Sequence, residues 1–292
     1  MSRIKSVFLV FFVSGLLLIV VWSGTEANGF ARTLAASDVG ATASASPCYW
    51  NTVPFGVDDW IISAPTGTIL SNFAYENQTY PALVATHFGQ GKAVFAVGSV
   101  FSEIDNLAAP HHVKQAVFLN AARWVTNDQP PTQTLVLVTY GHRELVTYDD
   151  EWGKPCCTSN VILALEDAGY TVEVTSDIPI TLTQFGAVIM PGVGWHETPQ
   201  YSNPIYWSGD AGHAPTAAEV TALLNFVKNG GGLMASAEFN LGAAWLTPIG
   251  QPMSVTFGSI TDNGTIVQSN RVANHLVMAK DCQRVYLPEV SH

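Results

Sequence analysis

The stretch Phe226-Val-Lys-Asn-Gly-Gly-Gly-Leu-Met-Ala-Ser-Ala-Glu238 constrains the fold more than any other. Its first residues close an apolar-periodic helix. The glycines that follow are a C-cap and turn, not a phosphate loop, because they precede a strand. Leu233 to Ser236 then reads as a short apolar strand. Small residues lead from it to an acid. A helix delivered straight into a buried strand is the unit of a parallel α/β sheet. In open sheets of that kind, sites form at the carboxyl ends of the strands.

The same alternation extends upstream. Thr134 to Tyr140 is a continuous apolar, β-branched run and reads as a strand. Ser159 to Ala168 reads as a helix closed by Gly169. Tyr170 to Thr175 is a second strand, Leu182 to Gly186 a linker, and Ala187 to Met190 a third strand. A long loop carrying Gly192, Gly194, Pro199, Pro204 and Gly209 follows. Pro215-Thr216 opens the helix that runs to Lys228, with Glu219 completing a capping box. This order predicts a mostly parallel sheet with helices on both faces.

Before that block, Pro81 to Gly98 reads as a hairpin turning on Gly89-Gln-Gly91. Trp60–Ala64 and Thr68–Phe73 add short strands, and apolar spacing predicts a helix over 113–125. Asn127 to Thr132 is a connector. After the block, Met253–Phe257 and Arg284–Leu287 read as strands. The last is expected either as a natural edge strand or as the point where a longer protein is cut.

The chain has 292 residues, 48% of them apolar and only 12% charged, enough for a large core. A net charge of −11 excludes a nucleic-acid partner, because no basic surface exists to neutralise phosphates. Arg3 and Lys5 precede an apolar run from Val7 to Trp22, and Ser23 to Ala27 offers a cleavage site. Residues 1–27 are therefore expected as a cleaved signal peptide or an uncleaved anchor. Any membrane contact runs through that segment alone, and the rest is expected to be secreted or extracytoplasmic. Residues 28–47 read as a flexible leader, 48–127 as the hairpin and helix segment, and 133–292 as the α/β domain. Cys48, Cys156, Cys157 and Cys282 allow three disulfide pairings in an oxidising compartment. Asn77 and Asn263 are sequon positions.

Three polar clusters are expected at the carboxyl edge: His142, Arg143 and Glu144; Trp195, His196 and Glu197; and Ser236 with Glu238. Ser236 is the candidate nucleophile, with Glu238 and His196 as its partners; His142 and His275 are further candidate bases. Its neighbours Ala235 and Ala237 lack the glycines of a nucleophile elbow, and packing against the sheet is the competing reading. His142, Arg143, Glu144, Trp195 and His196 are the candidate ligand-binding residues. Tyr201, Tyr206 and Trp207 extend that loop into an aromatic surface suited to stacking on sugars, or to packing over the domain. His142 and His196, with Glu238, could hold a zinc ion, although no His-x-x-x-His spacing supports it. Neither a cofactor nor a metal enters the main reading.

The strand at 134–140, Ala168-Gly169, the strand at 187–190 and Leu223 to Met234 together resemble the class I glutamine amidotransferase-like fold. The variety is the non-catalytic accessory type found in exported proteins. Tyr80 to Val84, Phe88 to Gly98 and Phe118 to Trp124 are similar to the segment preceding that fold in M60-like (enhancin-like) peptidases and TRPM8 channel-associated factors. The resemblance covers roughly residues 80–240 and implies a flavodoxin-like three-layer sheet. The departures decide the function it implies. Ala235, Ser236 and Ala237 stand where an amidotransferase has its elbow cysteine, the downstream His-x-Glu pair is missing, and no His-Glu-x-x-His motif occurs. The expectation is a non-catalytic domain that binds a carbohydrate, a cell-surface polymer or a protein. The alternatives are a hydrolase using Ser236 or a metal, and a truncated accessory region of a larger surface enzyme.

Overall fold

The computed structural model describes residues 10–13, 16–19, 48–57, 59–101, 104, 111–144, 146–147, 156–194, 212–259 and 265–280. The chain divides into two compact units, Met1–Ala45 and Ser46–His292. In the first, Val10–Val13 pairs antiparallel with Leu16–Ile19. No described helix is long and apolar enough to cross a membrane.

The second unit is α/β, built on a nine-stranded sheet. Its strands in chain order are β1 (Thr52–Val57), β2 (Thr68–Tyr75), β3 (Gln78–Phe88), β4 (Gly91–Val97), β5 (Leu135–Thr139), β6 (Thr171–Thr175), β7 (Ala187–Val193), β8 (Gly232–Ala237) and β9 (Thr265–Arg271). Its helices are α1 (His111–Val125), α2 (Thr158–Asp167), α3 (Ala217–Lys228) and α4 (Phe239–Gly250). Across the sheet the order is β6-β5-β7-β8-β4-β3-β2-β9-β1. The first five strands are parallel and the remaining pairings antiparallel.

The hairpin turning on Gly89-Gln90 is thus part of the main sheet, and its second strand β4 lies beside β8. The order in which strands are added reverses between β5 and β7: β5 leads outward to β6, whereas β7 leads the other way to β8. That reversal is the switch point of a doubly wound sheet. Right-handed crossovers put α1 and α2 on one face and α3 on the other, where α4 packs on α3.

Each element follows from its local sequence. In β7 and β8 every residue is buried, as continuous apolar runs require when both faces are covered. In α3 the Thr216 hydroxyl accepts from the Glu219 amide at 3.3 Å while the Glu219 carboxylate accepts from the Thr216 amide at 2.7 Å. The box closes both donors at the helix start. At its other end Gly230 takes a φ of 107°, and a Cβ on Gly232 would stand 2.5 Å from the Val125 carbonyl oxygen. The glycine run therefore both ends α3 and lets β8 pass under the end of α1. Phe95, Phe118, Leu137, Leu165 and Ile189 fill the core on the two faces.

Two elements depart from the sequence pattern. α4 is a helix where Gly242 and Pro248 read as breakers. Gly242 is needed there, because a Cβ would meet the Val193 carbonyl oxygen at 2.3 Å. β9 fills the sheet position between β2 and β1 with a polar sequence that carries no alternation strong enough to mark it. The strand expected at 284–287 lies outside the described residues. Cys48 is disulfide-bonded, and Cys48–Tyr49 pairs antiparallel with Ala279–Lys280, Lys280 opposite Cys48. Asn77 is exposed in the turn between β2 and β3; Asn263 lies outside the described residues.

Candidate functional site

The carboxyl edge at the switch point collects side chains from four places. The turn after β5 gives His142, Arg143 and Glu144. The segment after β6 gives Asp177 and Ile178. The approach to α3 gives His213 and Thr216, and the first turn of α3 gives Glu219. Ser236 lies at the end of β8 and Glu238 just after it. Most of these side chains are sealed from solvent: His142 and Ser236 are 0% exposed, Glu144 2%, Glu238 3% and Glu219 5%.

His142 is held from three sides. Its carbonyl accepts from the Gly194 amide at 3.1 Å, and its own amide donates to Glu144 Oε2 at 2.6 Å. Nδ1 lies 3.0 Å from the His213 carbonyl oxygen. A carbonyl only accepts, so Nδ1 carries the proton. Nε2 makes no hydrogen bond and stands 3.6 Å from Glu219 Oε1, beyond hydrogen-bond reach. The His213 ring packs edge-on against it at 5.2 Å.

The two carboxylates are shifted in opposite senses. Burial raises Glu144 above the ordinary carboxylate range, and this outweighs the His142 charge, the Thr139 hydroxyl and the local amides that favour its ionised form. Burial also pushes Glu219 upward. There the Thr216 hydrogen bonds, the Ile178 amide at 2.9 Å and the His142 charge together win, and the group sits below the ordinary range. Glu219 therefore ties three elements together: the start of α3, the end of β6 and the turn after β5.

Ser236 has a different task. β7 and β8 pair in register at Met190↔Ala235 and again at Val193↔Ala237, so two residues of β7 oppose Ser236. This bulge leaves the Gly192 amide without its ladder partner, and Ser236 Oγ accepts it at 2.7 Å. Among the described residues no histidine hydrogen-bonds to Ser236. Glu238 begins α4 and donates its amide to the Val193 carbonyl at 2.9 Å.

The geometry brings His142, Glu144 and Glu219 together and places Ser236 in the strand behind them. Arg143 turns outward from a positive-φ backbone, with its guanidinium 5.7 Å over the Trp245 ring. His275 is far along the chain, stacked edge-on against Trp124 at 4.9 Å and accepting from the Val277 amide. Burial, then His87 and Lys92, holds its imidazole below the usual range. Trp195, His196 and Glu197, and Tyr201, Tyr206 and Trp207, lie outside the described residues. Sequence reasoning treated Glu219 as a helix cap alone and missed Asp177, His213 and Thr139. Only Glu219 carried a signal, in its capping box. Among the described residues no group of three or more His, Cys, Asp or Glu is placed to hold a metal.

No protein-family model matches the chain, and no curated protein matches it. Solved structures of the metallopeptidase IMPa from Pseudomonas aeruginosa, an M60-like enzyme, are similar to it. One, in complex with an O-glycopeptide, has a TM-score of 0.42 at 12% identity and covers 73% of this chain and 21% of that one. Another has a TM-score of 0.41 at 14% identity and covers 72% and 20%. The chain thus spans about a fifth of the length of the structures it matches. A likeness at that level transfers neither activity nor ligand.

Proposed function

We propose that this chain is an extracytoplasmic, non-catalytic α/β binding domain, amidotransferase-like in its parallel half, whose ligand is a carbohydrate, a surface polymer or a glycosylated protein. The observation that carries the reading is the environment of Ser236. A nucleophile needs an exposed oxygen and a base within reach. Ser236 Oγ is fully buried and already accepts the Gly192 amide. Glu144 and Glu219 accept backbone amides, and His142 Nδ1 is turned to the His213 carbonyl. The Cys48 disulfide supports an oxidising compartment, with residues 1–27 as the export signal and 28–47 as a leader. Cys282, two residues beyond the partner of Cys48 in the strand pair, is its proposed bonding partner.

The test is esterase and glutaminase turnover by the wild type and Ser236→Ala. Neither protein is expected to turn over p-nitrophenyl acetate or glutamine above background. Wild-type turnover that disappears in Ser236→Ala would sink the reading. The substitution leaves the Gly192 amide without an acceptor, so it is expected to cost about 1–3 kcal/mol of stability.

A second reading has one observation in its favour, the bare Nε2 of His142 beside Glu219. Neutral imidazole with its other nitrogen hydrogen-bonded to a carbonyl is the form that ligates zinc. His142, Glu219 and His196 would then hold it. Elemental analysis decides: stoichiometric zinc that is lost in His142→Ala supports this reading, and its absence from the wild type removes it.

A further inference from the structure

We propose that a neutral oligosaccharide binds in the groove between α3 and the segment 180–186, away from the sealed carboxyl edge. The proposal rests on the binding-domain reading and gives it a place and a ligand chemistry. The groove encloses about 930 Å³, within the size range of small-ligand sites. One wall is a single face of α3, where Ala218, Thr221, Ala222, Asn225 and Asn229 recur at helical spacing. The other wall is the chain leading into β7, and Thr134 and Leu135 at the start of β5 lie beneath.

The lining has no Asp, Glu, Lys, Arg or His, in a chain whose net charge is −11. Six carboxamides converge there instead: Asn127, Gln129, Gln133, Gln184, Asn225 and Asn229. Asn127 is engaged, donating to the Gly230 carbonyl at 3.4 Å across one end of the groove. The other five make no hydrogen bond to the described protein.

That lining selects by chemistry. A carboxamide offers two donors and an acceptor side by side. A sugar hydroxyl both donates and accepts, so a row of amides meets a row of hydroxyls without a stranded group. A phosphate, uronate or ammonium would lose hydration here with no counter-charge to replace it. An apolar ligand would strand the amides. Phe226 adds an apolar surface. Its ring rests on the backbone of Gly231, where a Cβ would stand 2.3 Å from the ring carbons. Half-buried against the core and part of the groove's lining, the ring offers its exposed part to the C–H face of a pyranose.

The experiment is an NMR titration of the full-length chain with cellobiose, lactose and N,N′-diacetylchitobiose, and with a glucuronate-containing disaccharide as the charged control. At least one neutral disaccharide is expected to bind saturably and shift the side-chain amide signals of Asn225 and Gln184. Its affinity should be unchanged between low and high salt, because no ion pair forms. Asn225→Ala and Gln184→Ala should each weaken it ~10-fold, the scale of one lost hydrogen-bonded group. Glu166→Gln, at an exposed position on α2, should leave it unchanged. Saccharide binding that is lost in His142→Ala and untouched by the groove variants overturns the groove and keeps the binding domain. Groove amides that shift with an extended neutral peptide and with no saccharide overturn the ligand class. Failure of every saccharide and of cell-surface polymer to bind overturns this proposal and the wider reading together.

Discussion

The carboxyl edge of the sheet and the groove beside α3 share one helix and use polar residues in opposite ways. The first turn of α3 sends Glu219 into the edge, where its oxygens accept the amides of Ile178 and Thr216. The outer face of the same helix presents Thr221, Asn225 and Asn229 to the groove. At the edge, burial makes an unpartnered polar atom costly, so Glu144, Glu219, Ser236 and His142 Nδ1 have been drawn into hydrogen bonds with the fold itself, and only His142 Nε2 among these is left bare. In the groove, exposure lets the carboxamides stay unengaged at no such cost, because water satisfies them until a ligand does. The acids and the histidine that a sequence reader takes for chemistry are at the closed place. The residues without charge are at the open one.

The largest expected effect tests that division directly. Glu219→Ala removes the capping box, the Ile178 anchor and the carboxylate beside His142, and should cost about 3 kcal/mol of stability, the scale for stripping one partner from a buried polar set. Asn225→Ala, six residues along the same helix, should change stability by about 0.5 kcal/mol or less, as exposed substitutions do. Urea-unfolding midpoints of the two variants measure both. Equal losses would break the comparison, for they would make the groove amides part of the scaffold.

A smaller effect separates the two acids at the edge. Glu144 is raised by burial above its ordinary 4.5, so the folded state holds its proton over a range where the unfolded chain has released it. Stability from this group is full at pH values under 4.5 and falls as pH rises through the raised folded value. Glu219 runs the other way: lowered in the fold, it stabilises above 4.5, and that contribution is lost as pH falls through its folded value. Glu144→Gln copies the protonated form. The stability of the wild type relative to this variant should therefore decline as pH rises above 4.5 and level off beyond the raised folded value. A difference that is flat with pH would mean that Glu144 titrates in the fold as it does in the unfolded chain, and that the edge is wetter than its burial implies.

Much of the parallel half was legible because local signals agree there. Thr216 with Glu219 marked the start of α3, Gly230 to Gly232 its end, and continuous apolar runs the strands on either side. α4 was hidden because Gly242 and Pro248 speak locally against a helix. Gly242 is there for the approach to Val193, a contact that only the tertiary fold creates. The edge was half legible. Position after a strand nominated His142, Glu144 and Ser236, but the bulge that engages the Ser236 hydroxyl is set by register, which no residue pattern announces. The groove was not legible. Its amides come from the connector after α1, from the segment before β7 and from the outer face of α3, and singly each reads as an ordinary surface residue.

The smallest expected effect lies on the rim, where the two chemistries meet. The His213 carbonyl serves the interior by accepting from His142, while the His213 ring faces outward and pairs with Asp177 at 3.1 Å. The Ala214 carbonyl, first, and Asp177 after it raise the imidazole above its ordinary 6.5. The stabilisation this gives is fully present below 6.5 and fades as pH rises through the raised value. Both partners are about half exposed or more, so solvent screens the pair and its contribution to stability is small. Asp177→Asn should accordingly leave the unfolding midpoint nearly unchanged and lower the NMR titration midpoint of His213, though not abolish the shift, since the Ala214 carbonyl remains. A His213 midpoint that does not move would show that the ring is not held by Asp177. A large loss of stability would show that the sealed edge extends to the rim, and the boundary between structural and available polar groups would then have to be drawn further out.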